Sequence, residues 1–254
     1  MKVSILNCAL PLFLSALALK GDVPVRSLHE RTIGVSVGNE MVYAMEQAVD
    51  WLLDRQGKDG SWGASTNAYR TTALVRTTLL MLRQPAATNA VSKAGTWLAA
   101  RPVPPGEPLE TYAWRLLGER DPSAIRALRE RAESVIASAT PGERRLWREA
   151  LESAHVPPAQ PETVSAPSAT PPWPVAKTAS CLEIWHAART INRDFKGVIA
   201  REDGTPVNWR RDLAERLVCA QRRAATGGYW ASRPPADSDL TETAFALLTF
   251  LELL

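Results

Sequence analysis

"DWLLDRQGKDGSWG", residues 50–63, decides how the chain is read. An apolar helix end runs into Gln56, and Gly57, Asp59, Gly60 and Trp62 follow within a few residues. Upstream, Met41, Ala44, Met45, Ala48, Trp51 and Leu52 recur at the i, i+3, i+4, i+7 spacing of an amphipathic helix. Downstream, "YRTTALVRTTLLMLRQ" reads as a second helix that Pro85 stops. A large aromatic on the tip of a polar turn could be a surface Trp on a Gly-rich loop, or one part of a clamp between the two helices. In the clamp, Gln56 bonds backbone groups that the helix end leaves unpaired, while Gly57 and Gly60 permit positive φ. Trp62 folds back over the helix end and excludes water. The Thr72 hydroxyl falls near the start of the second helix, where side-chain oxygens meet free N–H groups.

The same order occurs twice, which favours the clamp. Residues 48–82 align with 213–253: Leu53 and Val218 each precede a Gln by three positions, Gln56 and Gln221. A Gly-x-Trp follows in each, Gly60 with Trp62 and Gly228 with Trp230, and then a Thr-Ala step, Thr72-Ala73 and Thr243-Ala244. The second copy is longer in its loops only, so the helices keep their registers. Weaker echoes lie between. Trp97-Leu98 and Glu110-Thr111 stand in the right order, with Arg101 where Gln is expected, and "KTASCLEIW" repeats the Thr-Ala step at Thr178-Ala179.

Further helical patterns run over 88–100, 109–120, 122–139, 142–155, 176–191, 208–223 and from 239 to the last residue. Between Arg115 and Glu152, eight Arg alternate with seven acids, the mark of a solvated helix surface with i,i+4 pairing. A Pro-rich, extended connector occupies 156–174. Strand-like alternation is confined to a weak "GVIA" at 197–200. The fold class is all-α, one repetitive domain over 39–254 with four helix pairs.

The ends and the charge bound the rest. Residues 1–20, "MKVSILNCALPLFLSALALK", read as an export signal with Ala16 and Ala18 offering a cleavage site, or as an uncleaved anchor, the only membrane attachment expected. Asn7 before Cys8 argues against lipid attachment there. Residues 21–38 read as an N-terminal arm. With 254 residues, 45% hydrophobic and 22% charged, the chain can bury a sizeable core. A formal charge of +3 over mixed-sign helices gives no basis for nucleic-acid binding. Cys181 and Cys219, both in apolar helical surroundings, are expected to be buried free thiols and not a disulfide.

The helix, the Gln-to-Gly-x-Trp loop and the Thr-Ala helix together resemble the repeat of the squalene and terpenoid cyclase and protein prenyltransferase superfamily, clearly over 48–82 and 213–253. The resemblance implies an α/α toroid of helical hairpins, incomplete in its middle repeats. Its chemistry is another matter. Protonating cyclases carry a D-x-D-D cluster before such a Thr-Ala step, so that neighbouring carboxylates hold one acid neutral. Here Asp237-Ser238-Asp239-Leu240 lacks the fourth acid, and Asp237, Asp239 and Glu242 read as complements to a helix N-terminus. The stretch "GGYWASRPPADSD" is also similar to the prenyltransferase segment before an Asp-x-Cys zinc pair. Asp239 stands where Cys is needed and no His follows, so neither a metal nor another cofactor is expected.

Other candidates are a Glu183–His186 pair on one helix face near Cys181, read as an acid–base pair or, better, as a satisfied core histidine. His29 and His155 have no partners by spacing. Trp51, Trp97, Trp114, Trp185 and Trp209 fall at helical spacing and read as packing residues, not a cation cage. The expectation is an exported, non-catalytic binding or scaffold module for a protein partner or an apolar ligand. The alternative is an enzyme acting on an isoprenoid substrate, with the acids at 237–242.

Overall fold

Helices nucleate where the apolar stripe and the caps coincide, and the structure shows where each does. It is a computed structural model, and it describes residues 33–64, 66–155, 172–197, 199–200, 203–231 and 237–254. The stretch read as an export signal, with Cys8, and also His29 and most of the Pro-rich connector lie outside these residues. The chain divides into two compact units. Within the described residues, one comprises 108–155 and the other 33–107 together with 172–254.

The larger unit contains α1 (Val35–Asp54), α2 (Ala68–Leu82), a 3-10 turn (Pro85–Ala87) and α3 (Thr88–Ala99). It continues with α7 (Cys181–Asp194), α8 (Trp209–Ala220), a hairpin of β1 (Arg222–Ala224) and β2 (Gly227–Tyr229), and α9 (Asp237–Leu253). The smaller unit holds α4 (Leu109–Leu117), α5 (Pro122–Ile136) and α6 (Pro141–Ser153). The chain is therefore mostly helical, with one two-stranded sheet among the described residues.

In the larger unit the helices are of two kinds. α1, α3 and α8 bury one stripe each: in α1 the stripe includes Met41, Ala44, Met45, Ala48, Trp51 and Leu52. α2 and α9 are buried almost all round, α2 over Ala68–Leu79 save Arg70 and Arg76, and α9 over Thr243–Phe250. A helix apolar on every side must be covered on every side, and α9 packs against α7, α2 and α1. The polar residues inside this layer are threonines that satisfy themselves, Thr78 donating to the Leu74 carbonyl and Thr249 to that of Phe245.

The smaller unit is capped as its sequence suggests. The Asp121 side chain accepts from the Ser123 N–H before Pro122, and Thr140 with Glu143 forms a capping box before Pro141. Leu109, Leu116, Leu128, Ala132, Leu146, Trp147 and Ala150 are buried. Arg115 is buried in an ion pair with Glu119 one turn away.

Several boundaries differ from the sequence reading for local reasons. α1 begins at Val35, inside the expected arm, because Gly34 turns the chain with φ of 88° and its carbonyl accepts from Gly38. α7 begins at Cys181, not near 176, because Ser180 and Glu183 form a capping box there. α8 stops at Ala220, since Gln221 turns extended and leads into β1, a strand the periodicity did not reveal. Of "GVIA", Ala200 forms an isolated bridge with Pro206. The two cysteines among the described residues are free: Cys181 is buried, but Cys219 is exposed on α8, contrary to expectation.

Candidate functional site

The two quoted segments have the same hydrogen bonds. Trp62 is 1% exposed; its indole N–H donates to the Leu52 carbonyl in the last turn of α1, at 2.7 Å, and its backbone N–H donates to the Thr72 hydroxyl at 2.8 Å. In the second copy the Trp230 indole donates to Leu217 at 2.8 Å, and its backbone N–H to Thr243 at 3.1 Å. Both spans are ten residues in the first copy and thirteen in the second, so each longer loop is absorbed without moving the bonds. The threonines lie in the second turn of their helices. The N–H groups they satisfy belong to the loop, and Thr72 returns a bond to the Trp62 carbonyl.

Gln56 and Gln221 reach further than a turn. Gln56 donates to Gly60 and also to the Ala90 carbonyl of α3, while Gln221 donates to the Ala44 carbonyl of α1. α3 is itself a copy of α1: a constant offset matches Ala44 with Ala90, Gln47 with Lys93, Trp51 with Trp97, Leu52 with Leu98 and Arg55 with Arg101. Arg55 and Arg101 both lie over their tryptophans, at 5.2 and 4.3 Å. Arg101 thus corresponds to Arg55, not to Gln56 as its sequence position suggested.

The matching extends to the loops. At Gly60 a Cβ would come within 2.8 Å of the Lys93 carbonyl, and at Gly227 within 2.3 Å of that of Gln47, so both loops press on the same turn of their receiving helix. Asp59 accepts from the Trp97 indole at 2.8 Å, and Tyr229 stacks on Trp51 at 4.9 Å. In α8 the place of Trp51 is taken by Arg216, since Leu217 plays the part of Leu52. Its guanidinium donates to the carbonyls of Ala176, Lys177 and Ala179, in the segment leading into α7. Each segment leading into α2, α7 or α9 therefore docks on the same position of the next helix, α3, α8 and α1 in turn.

Of these joints, the one at α8 is left open by the described residues. A cavity of about 460 Å³ opens there, bounded by Lys177, Cys181, Arg216, Arg222, Trp230 and Glu242 among others. Its carboxylates are already engaged. Glu242, on α9, accepts from the Cys181 backbone N–H at 2.6 Å, and Glu183 accepts from the Ser180 N–H and hydroxyl. Those bonds hold the Glu183 carboxyl below its ordinary range. Burial and the neighbouring Glu242 carboxylate push the Cys181 thiol far up, so it is not a thiolate nucleophile. Lys177 and Arg222 are exposed and make no side-chain ion pair among the described residues.

The remaining candidates separate. Asp237 and Asp239 begin α9, with Glu242 a turn further on. His186 is exposed, its ring 4.9 Å from that of Trp185, and is not a core histidine; Glu183 is spent on its cap. His155 sits just past α6 with φ of 56°. No group of three potential metal ligands occurs among the described residues. Trp51, Trp97, Trp114, Trp185 and Trp209 are all buried. The residues that sequence reasoning missed are Lys177, Arg216 and Arg222; the alignment of Leu217 with Leu52 held a signal, because it puts an arginine where a tryptophan is repeated. Comparison with known proteins finds no matching family model, no matching curated relative and no matching solved structure.

Proposed function

We propose that the protein is an exported, non-catalytic binding or scaffold module of terpenoid-cyclase-like α/α-toroid design, and that it takes a protein partner in preference to an apolar ligand. Support for the toroid is the order of docking within the larger unit. The segment before α7 meets α8, that before α9 meets α1, and that before α2 meets α3, so the last hairpin returns to the first helix as a closed array of repeats requires.

The observation that carries the functional reading is the bond from the Cys181 N–H to Glu242. A general acid for alkene protonation must keep its proton at neutral pH and aim it at substrate. Glu242 instead accepts from the Cys181 N–H at the start of α7 and is held there as a structural acceptor. The neighbouring cavity is open and bordered by charged groups, which suits a polar protein segment better than an isoprenoid chain.

The test is incubation of the purified protein with squalene and with prenyl diphosphates, followed by product analysis. No turnover is expected. Turnover that disappears in the Asp239→Asn variant would establish the alternative, an isoprenoid enzyme using the acids at 237–242.

A further inference from the structure

Resting on the binding-module reading, we infer that the cavity between the α7 leader and α8 receives an extended acidic segment of a partner protein, its carboxylates paired with Arg222 and Lys177 and its backbone lying along β1. Three observations converge. The first is the comparison among joints: at α3 the loop carries Asp59 against Trp97, and at α1 it carries Tyr229 against Trp51, whereas the joint at α8 keeps about 460 Å³ open. The space corresponds to a contact that the other two joints make with the chain's own residues.

The second is charge. Lys177, Arg216 and Arg222 border the cavity, and Arg223 follows on the exposed side of β1. Two acids also line it, Glu183 and Glu242, each accepting from a backbone N–H, so three cations face two carboxylates and the lining keeps a net charge of +1. Arg216 is committed to four carbonyls, those of Val175, Ala176, Lys177 and Ala179, which leaves Lys177 and Arg222 to meet an incoming anion.

The third is the open sheet edge. Among the described residues β1 pairs with β2 alone, and β2 faces α1, so the other side of β1 is available to a further strand. Main-chain pairing would align an extended segment, and carboxylates at alternate positions would fall on one face of it.

Fluorescence anisotropy of the full protein with a labelled extended Glu-Thr repeat peptide tests this, with a Lys-Thr repeat of equal length beside it. Saturable binding of the acidic peptide alone is expected, weakening as salt rises. Arg222→Glu and Lys177→Glu should each weaken it at least tenfold; both residues are exposed, and an unchanged circular dichroism spectrum will show that the variants fold. Equal binding of both peptides, no binding of the acidic one, or indifference to both charge reversals overturns the inference. A protein partner that binds wild type and Arg222→Glu equally overturns it too while leaving the binding-module reading intact; turnover of squalene or a prenyl diphosphate overturns that reading itself.

Discussion

Trp51 and Trp97 occupy one place in two copies of a helix, yet their indole N–H groups fare differently. Trp97 donates to Asp59, while Trp51, 4% exposed, has no acceptor among the described residues and relies on stacking with Tyr229. A buried donor without a partner costs roughly 1–3 kcal/mol, and a satisfied one contributes about 1 kcal/mol. Phe at each position removes similar volume but a different polar term. Trp97→Phe should therefore destabilise the protein more than Trp51→Phe, by about 1–2 kcal/mol in urea unfolding; equal effects would remove the argument. The bond at Trp97 also has a pH signature. The Ser61 hydroxyl and N–H, then Trp97 and Arg101, hold the Asp59 carboxyl below its ordinary range, so its contribution is present above about pH 4 and is lost as pH falls through the lowered value. Asp59→Asn should lower stability at neutral pH and flatten that acid limb, so that the profiles of variant and wild type converge in acid. Gln56, Trp62 and Thr72 were legible as one cluster because Gly, Gln and Trp at fixed local spacing leave few geometries. Lys177, Arg216 and Arg222 were not, since three separate segments bring them together.

At the scale of elements, helix periodicity located each α-helix of the described residues, and the errors lie at ends where a side chain decides. α7 is the clearest case. An apolar period extends back towards Ala176, but the Ser180 hydroxyl and the Glu183 carboxylate close a capping box, and Glu242 from α9 accepts the next N–H. Three orphan donors are thereby satisfied at one residue's start point. Two of those three bonds come from a local pattern that sequence can offer; the third comes from α9 and cannot be read locally. Ser180→Ala should cost about 1 kcal/mol. Glu242→Gln keeps an acceptor and should cost less than Glu242→Ala, a difference that thermal melts of the two variants will read. β1 was missed for a related reason. "RLVCAQRRA" carries no alternation, and its last residues become a strand only because β2 is held against α1 and offers a partner.

For the whole molecule, the joints matter more than any hairpin taken alone. A helical hairpin cannot bury both its faces, so each depends on the element it docks against. In the larger unit that dependence is concentrated where the β1–β2 turn meets α1. Gly227 lies there with φ of 131°, and an added Cβ would stand 2.3 Å from the Gln47 carbonyl and 3.0 Å from the Trp51 backbone nitrogen. Backbone cannot yield as a flexible side chain can, so Gly227→Ala must push the hairpin away from α1. The displacement would break the Gln221 bond to Ala44, the Tyr229 stack on Trp51 and the Thr226 bond to Asp54 together. Strain of this kind costs roughly 3 kcal/mol or more, and the loss should be regional: amides of α1 and the β1–β2 hairpin should exchange faster with deuterium, while those of α5 and α6 keep their protection. Gly142→Ala is the matched control, because its Cβ would meet nothing nearer than the Thr140 hydroxyl at 4.0 Å. If Gly227→Ala keeps wild-type stability and exchange in α1, the contact of the β1–β2 turn with α1 is not what holds this part of the larger unit together.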